Sequence, residues 1–406
     1  MSESLRSGLV MSGGGARGAY EVGLVAGIID VLELTPRDPA PFQIFAGTSV
    51  GAINAAYLAA YADRGDMAIE GLVDAWKSLR LNEHLRFDPM GILGLRGRLP
   101  FSTDTTLGRS LLDPRPLHDV VRETVDWERL HANVKRGVVH ALIVTALHIR
   151  SGRTHMFAEV VPGCHFRPSR DPRRRGVCGP ISADHVLASS ALPLIFPAHK
   201  IGAGYYCDGG LRFNTPLSPA IRAGADRLVV IPLLRGFRPS ETGTELYPNP
   251  FFLLGKLLAA LLLDPIEYDL KVLERINDIV GTLDDALSEE ERARFQEVVI
   301  RARGNAYRKL DTLALYPTDD IGRMAGVFLN ERDDDRRSGL FAEQVIRRAA
   351  MMKESMEADL VSFLLFDGDY AGRLIELGRR DAQAKAEEIC AFFRRGGTGL
   401  AIGPSQ

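Results

Sequence analysis

Disulfides, metal centres and membrane spans find little to build on in this chain. Its 406 residues include only four cysteines, Cys164, Cys178, Cys207 and Cys390, none paired as CxxC and none at zinc-ligand spacing from a histidine. They read as reduced thiols of a cytoplasmic protein, and no metal site is expected. Long apolar runs are missing too. No stretch of signal-peptide length precedes the glycines that begin at Gly13. The longest apolar run, residues 251–263, is interrupted by Lys256. As a helix it reaches about 20 Å, short of a hydrocarbon core of about 30 Å. Charge of one sign is lacking as well: 50 Lys and Arg stand against 52 Asp and Glu, for a net charge of −2. No basic field invites nucleic acid, and charge alone does not hold the molecule on an anionic membrane. What remains is an ordinary globular composition, 46% hydrophobic and 25% charged. At roughly 100–200 residues per domain, the length fits two domains or one large domain with an appendage.

What is present is an alternation of strand-like and helix-like segments over the first 235 residues or so. Residues 7–12, 43–46, 138–149 and 228–233 read as buried strands, and 154–157 as the return strand of a hairpin through Ser151-Gly152. Residues 19–33 place Val22, Val25, Ile29 and Leu32 on one helical face, and 50–61 form a helix of small residues. Such alternation predicts an α/β fold in layers around a mainly parallel sheet. Residues 236–250, rich in Gly, Pro, Ser and Thr, read as a linker. Beyond it come charged helical patterns: a capping box at Ser288 and Glu291 opening a helix to about residue 303, then helices at 339–357 and 372–394. The expected organisation is therefore an α/β unit over 7–235, the linker, and a helical C-terminal extension over 251–406.

Two glycine clusters sit where a strand meets a helix. Gly13-Gly14-Gly15-Ala16-Arg17-Gly18 matches GxGxxG through Gly13, Gly15 and Gly18. With 40 glycines in the chain that pattern alone decides nothing. A dinucleotide site needs an acid closing the second strand, and Asp38, at the right spacing, sits in the proline-rich TPRDPAP. A P-loop needs Lys-Ser or Lys-Thr after Gly18, and neither follows. The same backbone N–H groups can instead hold the oxyanion of a tetrahedral intermediate. Gly47-Thr48-Ser49-Val50-Gly51 has the context of a nucleophile elbow, with Gly47 and Gly51 permitting the sharp turn and Ser49 exposed at a helix N-terminus. A plain helix cap is the competing reading. A serine needs a base. None of the nine histidines lies in a hydrolase-type histidine loop, although His199 comes nearest. Tyr205-Tyr206-Cys207-Asp208-Gly209-Gly210 offers Asp208 at a strand end, in what could otherwise be only a hairpin turn.

With ASSALPLIFP at residues 188–197 and NTPL at 214–217, these motifs resemble the patatin-like phospholipase family in order and spacing, over about residues 7–235. The resemblance implies a three-layer α/β/α sandwich and a Ser–Asp dyad. Ser49 would be the nucleophile and Asp208 the base, with Gly209 and Gly210 in the motif after the base. Gly13, Gly14, Gly15 and Gly18 would form the oxyanion loop, and Arg17 would lend positive charge. It implies a phospholipid or lysophospholipid substrate, transient contact with a membrane surface, and no cofactor. An acyltransferase sharing the dyad, a hydrolase latent until a partner docks on the C-terminal helices, and a nucleotide-binding module stand as alternatives. Residues 251–263 could be an interfacial helix or a lid, although a helix buried between domains fits as well. The basic run Arg167, Arg170, Arg173, Arg174 and Arg175 could meet anionic headgroups or simply be a solvated loop.

Overall fold

Side chains along the central strands enter two different cores in alternation, and that alternation decides the layering. In the computed structural model, which describes residues 5–80, 86–87, 112–113, 115–166, 169–193, 195–213, 215–234, 260, 265–303, 306–331 and 358–394, strand β1 (Ser7–Met11) sends Leu9 and Met11 into one core and Val10 into a second. β2 (Ile44–Thr48) does the same with Phe45 against Ile44 and Ala46. A sheet buried on both faces must carry helices on both. The result is a three-layer α/β/α sandwich, as the sequence led us to expect.

The sheet also contains β5 (Ala141–His148), β6 (Arg153–Val160), β7 (Arg174–Cys178), β10 (Arg227–Ile231) and β11 (Asp311–Ala314). Its order is β11-β10-β1-β2-β5-β6-β7, and every pair is parallel except the hairpin β5–β6. A second hairpin, β8 (His199–Ile201) with β9 (Gly204–Asp208), joins through β9 on β5. β3 (Arg86–Phe87) and β4 (Leu112–Asp113) form a separate antiparallel pair.

The larger core lies under α1 (Gly18–Val31), α2 (Val50–Ala60), α3 (Ile69–Ser78), α4 (Arg115–Thr124), α5 (Trp127–Arg136) and α6 (Ala183–Ser189). The one-turn helix α7 (Gly210–Phe213) follows β9. The opposite face is covered by α8 (Leu217–Arg222) and α9 (Pro265–Ala286), through Leu217, Ala220, Ile266, Leu270 and Leu273. α10 (Glu289–Arg303) starts at the expected capping box, where Ser288 N–H donates to Glu291 Oε2 at 3.0 Å.

The described residues past 264 are mostly helical, but they also extend the sheet through β11. α11 (Ile321–Glu331), α12 (Ala358–Leu364), α13 (Gly368–Ala384) and α14 (Ala386–Arg394) pack on the larger core. α13 lies against α1 at backbone-contact distance. A Cβ on Gly378 would stand 2.5 Å from the Tyr20 carbonyl oxygen and 2.7 Å from the Gly23 carbonyl carbon. Polar pairs fix the register: Tyr20 donates to Asp381 at 3.1 Å, and Thr318 N–H reaches the same carboxylate at 3.0 Å. Buried Arg227 bridges β10 and the last helix, donating to Ser7 Oγ at 2.8 Å and to the Phe392 carbonyl at 2.9 Å. A cation on a helix's final carbonyls is favourable on both counts, hydrogen bonding and dipole.

The linker expected at 236–250, the apolar run 251–263 apart from residue 260, and the helix expected at 339–357 lie outside the described residues. Among the described residues no helix is long and apolar enough to cross a membrane, and the four cysteines are free.

The α1–α13 contact yields a test with a definite sign. Helix propensity alone would make Gly378→Ala stabilising by about 1 kcal/mol. The occupied space makes it destabilising instead, by about 1–3 kcal/mol net of that gain. Thermal unfolding should therefore show a lower Tm for Gly378→Ala than for the parent.

Candidate active site

β5 acts as a ruler for the site. β6 occupies one of its edges over the whole length. Along the other edge, β2 runs parallel as far as Thr48 opposite Thr145, and β9 arrives antiparallel with Asp208 opposite Ala146. The C-terminal ends of β2 and β9 therefore meet head-on at neighbouring residues of one strand. Thr48 Oγ1 and Thr145 Oγ1 are hydrogen-bonded at 2.6 Å across the first pair. The next residue on β2 is Ser49.

Ser49 turns the chain from β2 into α2 with φ 54° and ψ −127°. A positive φ at a residue with a side chain costs on the order of 1–3 kcal/mol and persists only where the surroundings enforce it. They do so here by contact. A Cβ on Gly47 would stand 2.6 Å from Ala52 N, and one on Gly51 2.6 Å from the Met11 carbonyl oxygen. The Ser49 N–H donates to Ser189 Oγ at 2.8 Å, and Ser189 donates on to the Thr145 carbonyl at 2.6 Å. Ser49 Oγ is thereby aimed at Asp208 Oδ2, 2.6 Å away.

Asp208 is 1% exposed. Its other oxygen, Oδ1, accepts the Gly210 N–H at 2.7 Å, and its own N–H donates to the Ala191 carbonyl at 2.9 Å. Gly209 allows this closeness, since a Cβ there would be 2.5 Å from the Thr145 carbonyl oxygen. Burial raises the Asp208 pKa to about 6, with the bonds from Ser49 and Gly210 pulling it back. A carboxyl tuned towards neutrality is a better general base than one at about 3.9.

Gly15, at φ 57°, lines the cavity beside Ser49. Gly14 lies extended, Gly13 is buried behind it, and the start of α1 at Gly18 packs on the Val50 side chain. Arg17 is itself buried, 1% exposed. Its Nε donates to Ser362 Oγ at 2.8 Å, and its guanidinium lies 4.3 Å over the Phe363 ring. It therefore fastens the glycine turn to α12. Glu21, fully buried, accepts the Ser12 N–H at 2.7 Å and Asn54 Nδ2 at 3.0 Å, and burial pushes its pKa up to about 8. It braces the turn from behind.

The space next to Ser49 and Asp208 is about 40 Å³, walled by Ile53, Leu192, Phe196, Phe363, Leu364 and Phe366. Room of that size takes a few waters but no acyl chain. Among the described residues no histidine lines it. His155 meets the Tyr206 hydroxyl at 3.2 Å, and burial pushes its pKa down to about 4. His199 pairs with Asp184 at 3.1 Å. Asp38, the acid a dinucleotide site would have needed, closes an exposed turn on Thr35. Among the described residues no group of three His, Cys, Asp or Glu could hold a metal ion.

The motifs named Ser49, Asp208 and the glycines. They did not reveal the Ser189–Thr145 relay, although Ser189 falls inside the quoted ASSALPLIFP block. Nor did they reveal Glu21 or the wall from α12, for which no local pattern exists.

A model of the patatin-like phospholipase family matches residues 9–221, just over half of the chain. The chain belongs to that family. Membership makes it, in general terms, a lipid acyl hydrolase acting on lipid substrates. No curated protein matches it. Among solved structures it is similar to VipD from Legionella pneumophila, at 13% identity and a TM-score of 0.31, over 92% of this chain and 67% of that one.

Two outcomes follow from the patatin-fold site. The folded pKa of Asp208 lies above the unfolded value, so the folded state holds the proton more tightly between them, and stability falls as pH rises through that interval. Above pH 6 the buried carboxylate costs on the order of 3 kcal/mol. Asp208→Asn should therefore raise Tm by a few degrees at pH 7.5, the gain vanishing near pH 4 in thermal melts. Ser189→Ala strands the Thr145 carbonyl and the Ser49 N–H. Chemical denaturation should register about 1–3 kcal/mol of lost stability for each group left unbonded.

Proposed function

We propose that the protein is a phospholipase A or lysophospholipase that cleaves fatty-acyl esters through an acyl-serine intermediate, with Ser49 as nucleophile and Asp208 as general base. The observation that carries this reading is the 2.6 Å bond from Ser49 Oγ to a buried Asp208, made from a strained elbow. As Oγ attacks the ester carbonyl carbon, its proton passes to Asp208 Oδ2. The carbonyl oxygen becomes an oxyanion, for which the N–H groups of the Gly13–Gly14–Gly15 turn and the first turn of α2 would be the donors; losing one such donor costs about 2.7–4 kcal/mol of barrier. Collapse of the tetrahedral species expels the alcohol, which takes the proton from Asp208. Water then enters, gives its proton to the same carboxylate, attacks the acyl carbon and releases the fatty acid, restoring Ser49. Arg17 acts in this scheme through the turn it anchors, its charge being spent on Ser362 and Phe363.

A second reading, a hydrolase held latent, is favoured by one observation. The 40 Å³ beside Ser49 is closed by Phe363, Leu364 and Phe366 of the C-terminal third. An acyl chain enters only when these side chains move aside. Of residues 251–263, the candidate interfacial segment, only Ala260 is among those described, and Arg173 and Arg174 of the basic run are engaged with Asp171.

Fatty-acid release from mixed phospholipid and lysophospholipid vesicles tests the reading. Ser49→Ala should lose about 10³-fold or more, Asp208→Asn about 10²–10⁴-fold, and the double variant no more than the worse single one. For the parent, kcat/KM should climb with pH through about 6, as Asp208 ionises, and then level. Equal release by parent and variants would remove both residues from the chemistry. Faster release by Phe366→Ala than by the parent would support latency.

A further inference from the structure

β5 does not stop at the candidate site. Asp208 stands opposite Ala146, and the strand runs on through Leu147 and His148 to the exposed Ile149, whose N–H donates to the Tyr205 carbonyl at 3.0 Å. At about 3.4 Å per residue, Ile149 lies about 10 Å past Asp208 along the strand. The β5–β6 hairpin turns at residues 149–152 and the β8–β9 hairpin at 202–203. Both tips therefore project side by side from the end of the sheet to which β2 delivers Ser49.

Neither hairpin tip carries an acid. Residues 148–158 and 199–207 contain no Asp or Glu. What they carry is positive: Arg150, Arg153 and Lys200 are exposed, and so is Arg175 on the neighbouring β7. The register brings these groups together. Lys200 stands opposite Tyr205, Arg153 opposite His148, and Arg175 opposite His155. His155 feels them, since burial and then the charges of His148, Arg175 and Arg153 hold its pKa down. A further cation, Arg212 of α7, donates to the Gly152 carbonyl at 2.7 Å, within the first tip.

The surrounding carboxylates do not cancel this charge. Asp171 is shared by Arg173 and Arg174, Asp184 lies between Arg122 and His199, and Asp208 is buried. Among the described residues Arg150, Arg153, Arg175, Lys200 and Arg212 make no ion pair. They surround two exposed apolar side chains, Ile149 and Tyr205. Cations around an exposed tyrosine and an aliphatic residue suit the boundary of a bilayer, where phosphates meet the charges and the apolar groups sink just below.

We propose that the paired hairpin tips are the face by which the protein docks on an anionic bilayer, with the cations on lipid phosphates and Ile149 and Tyr205 in the headgroup layer. Docked in this way, the protein turns towards the membrane the end of the sheet that carries Ser49 and Asp208. The proposal rests on the lipid substrate of the family and not on the roles proposed for those two residues.

Vesicle flotation of the full chain tests it, with ether-linked phosphatidylcholine alone or mixed with ether-linked phosphatidylglycerol. These lipids have no ester to cleave, so binding is read apart from any hydrolysis. The anionic vesicles should bind about tenfold or more tighter than the neutral ones, and added salt should erode the difference. Arg150→Glu with Lys200→Glu should lose about tenfold or more of that binding. Ile149→Ser with Tyr205→Ser should weaken it severalfold, each variant keeping its Tm within a few degrees of the parent. Should the charge reversal unfold the protein, Arg150→Gln with Lys200→Gln is expected to weaken binding in the same direction. Arg37→Glu with Lys309→Glu makes the same change of charge at the opposite end of the sheet, ahead of β2 and β11, and should bind like the parent. The proposal is overturned if the parent does not prefer anionic vesicles, if the folded tip variants bind like the parent, or if the Arg37 and Lys309 variant loses as much as they do. It is also overturned if poly-glutamate, a soluble polyanion, binds as tightly as the anionic vesicles, an outcome that assigns the patch to an acidic protein.

Discussion

Everything at the candidate site hangs on two strands ending against the same edge of a third. Thr48 and Asp208 are registered on Thr145 and Ala146, adjacent residues of β5. That register, made of backbone hydrogen bonds, brings a serine and an acid 159 positions apart in the chain to 2.6 Å. A shift of one residue on either strand would turn its side chains to the opposite face. The hydroxyl relay from Ser49 through Ser189 to Thr145 uses the same strand as its anchor. One element therefore sets the proposed nucleophile, the proposed base and the relay together, and no flexible loop has to be trusted with the distance.

The arrangement is bought with local instability. Ser49 sits at a positive φ, Asp208 keeps a carboxyl away from water, and Glu21 does so again behind the glycine turn. Each is tolerable because the neighbourhood is over-determined. Glycines at 47, 51 and 209 let backbone pass at distances that any side chain would block. Two hydrogen bonds hold each buried carboxylate. Strain and desolvation of this kind gather where chemistry is done, because the surrounding core holds them in place.

The fold was legible in the sequence wherever the signal was local. Alternating strand and helix patterns located β1, β2, β5, β10, α1 and α2, because burial on both faces writes continuous apolar runs and small-residue helices into the chain. The glycine-flanked Ser49 and the Asp208-Gly209-Gly210 turn were legible because tight turns demand particular residues. Other features carry no such mark. β11 is four residues long and becomes a strand only by pairing with β10. Arg17 reads as a free cation near an anion site, yet its partners, Ser362 and Phe363, lie some 345 positions away, and only the tertiary fold reveals that its charge is engaged. The wall contributed by Phe363, Leu364 and Phe366 was invisible for the same reason.

The order in which strands enter the sheet has a consequence for synthesis. β1 is made first and ends up in the middle, but one of its two partners, β10, begins 220 residues later, and β11 beyond it later still. The helix that covers α1, α13, emerges after residue 368. Until then the nascent chain has a central strand with an unpaired edge and a helix with its apolar face in water, a state prone to wrong pairings. The strained elbow at Ser49 draws its restraint from Met11, Thr145 and Ser189, all of which precede β10. The pair of Ser49 and Asp208 is thus assembled from elements made while the far edge of β1 and the face of α1 still wait for their cover, and the wall of Phe363, Leu364 and Phe366 closes over it afterwards.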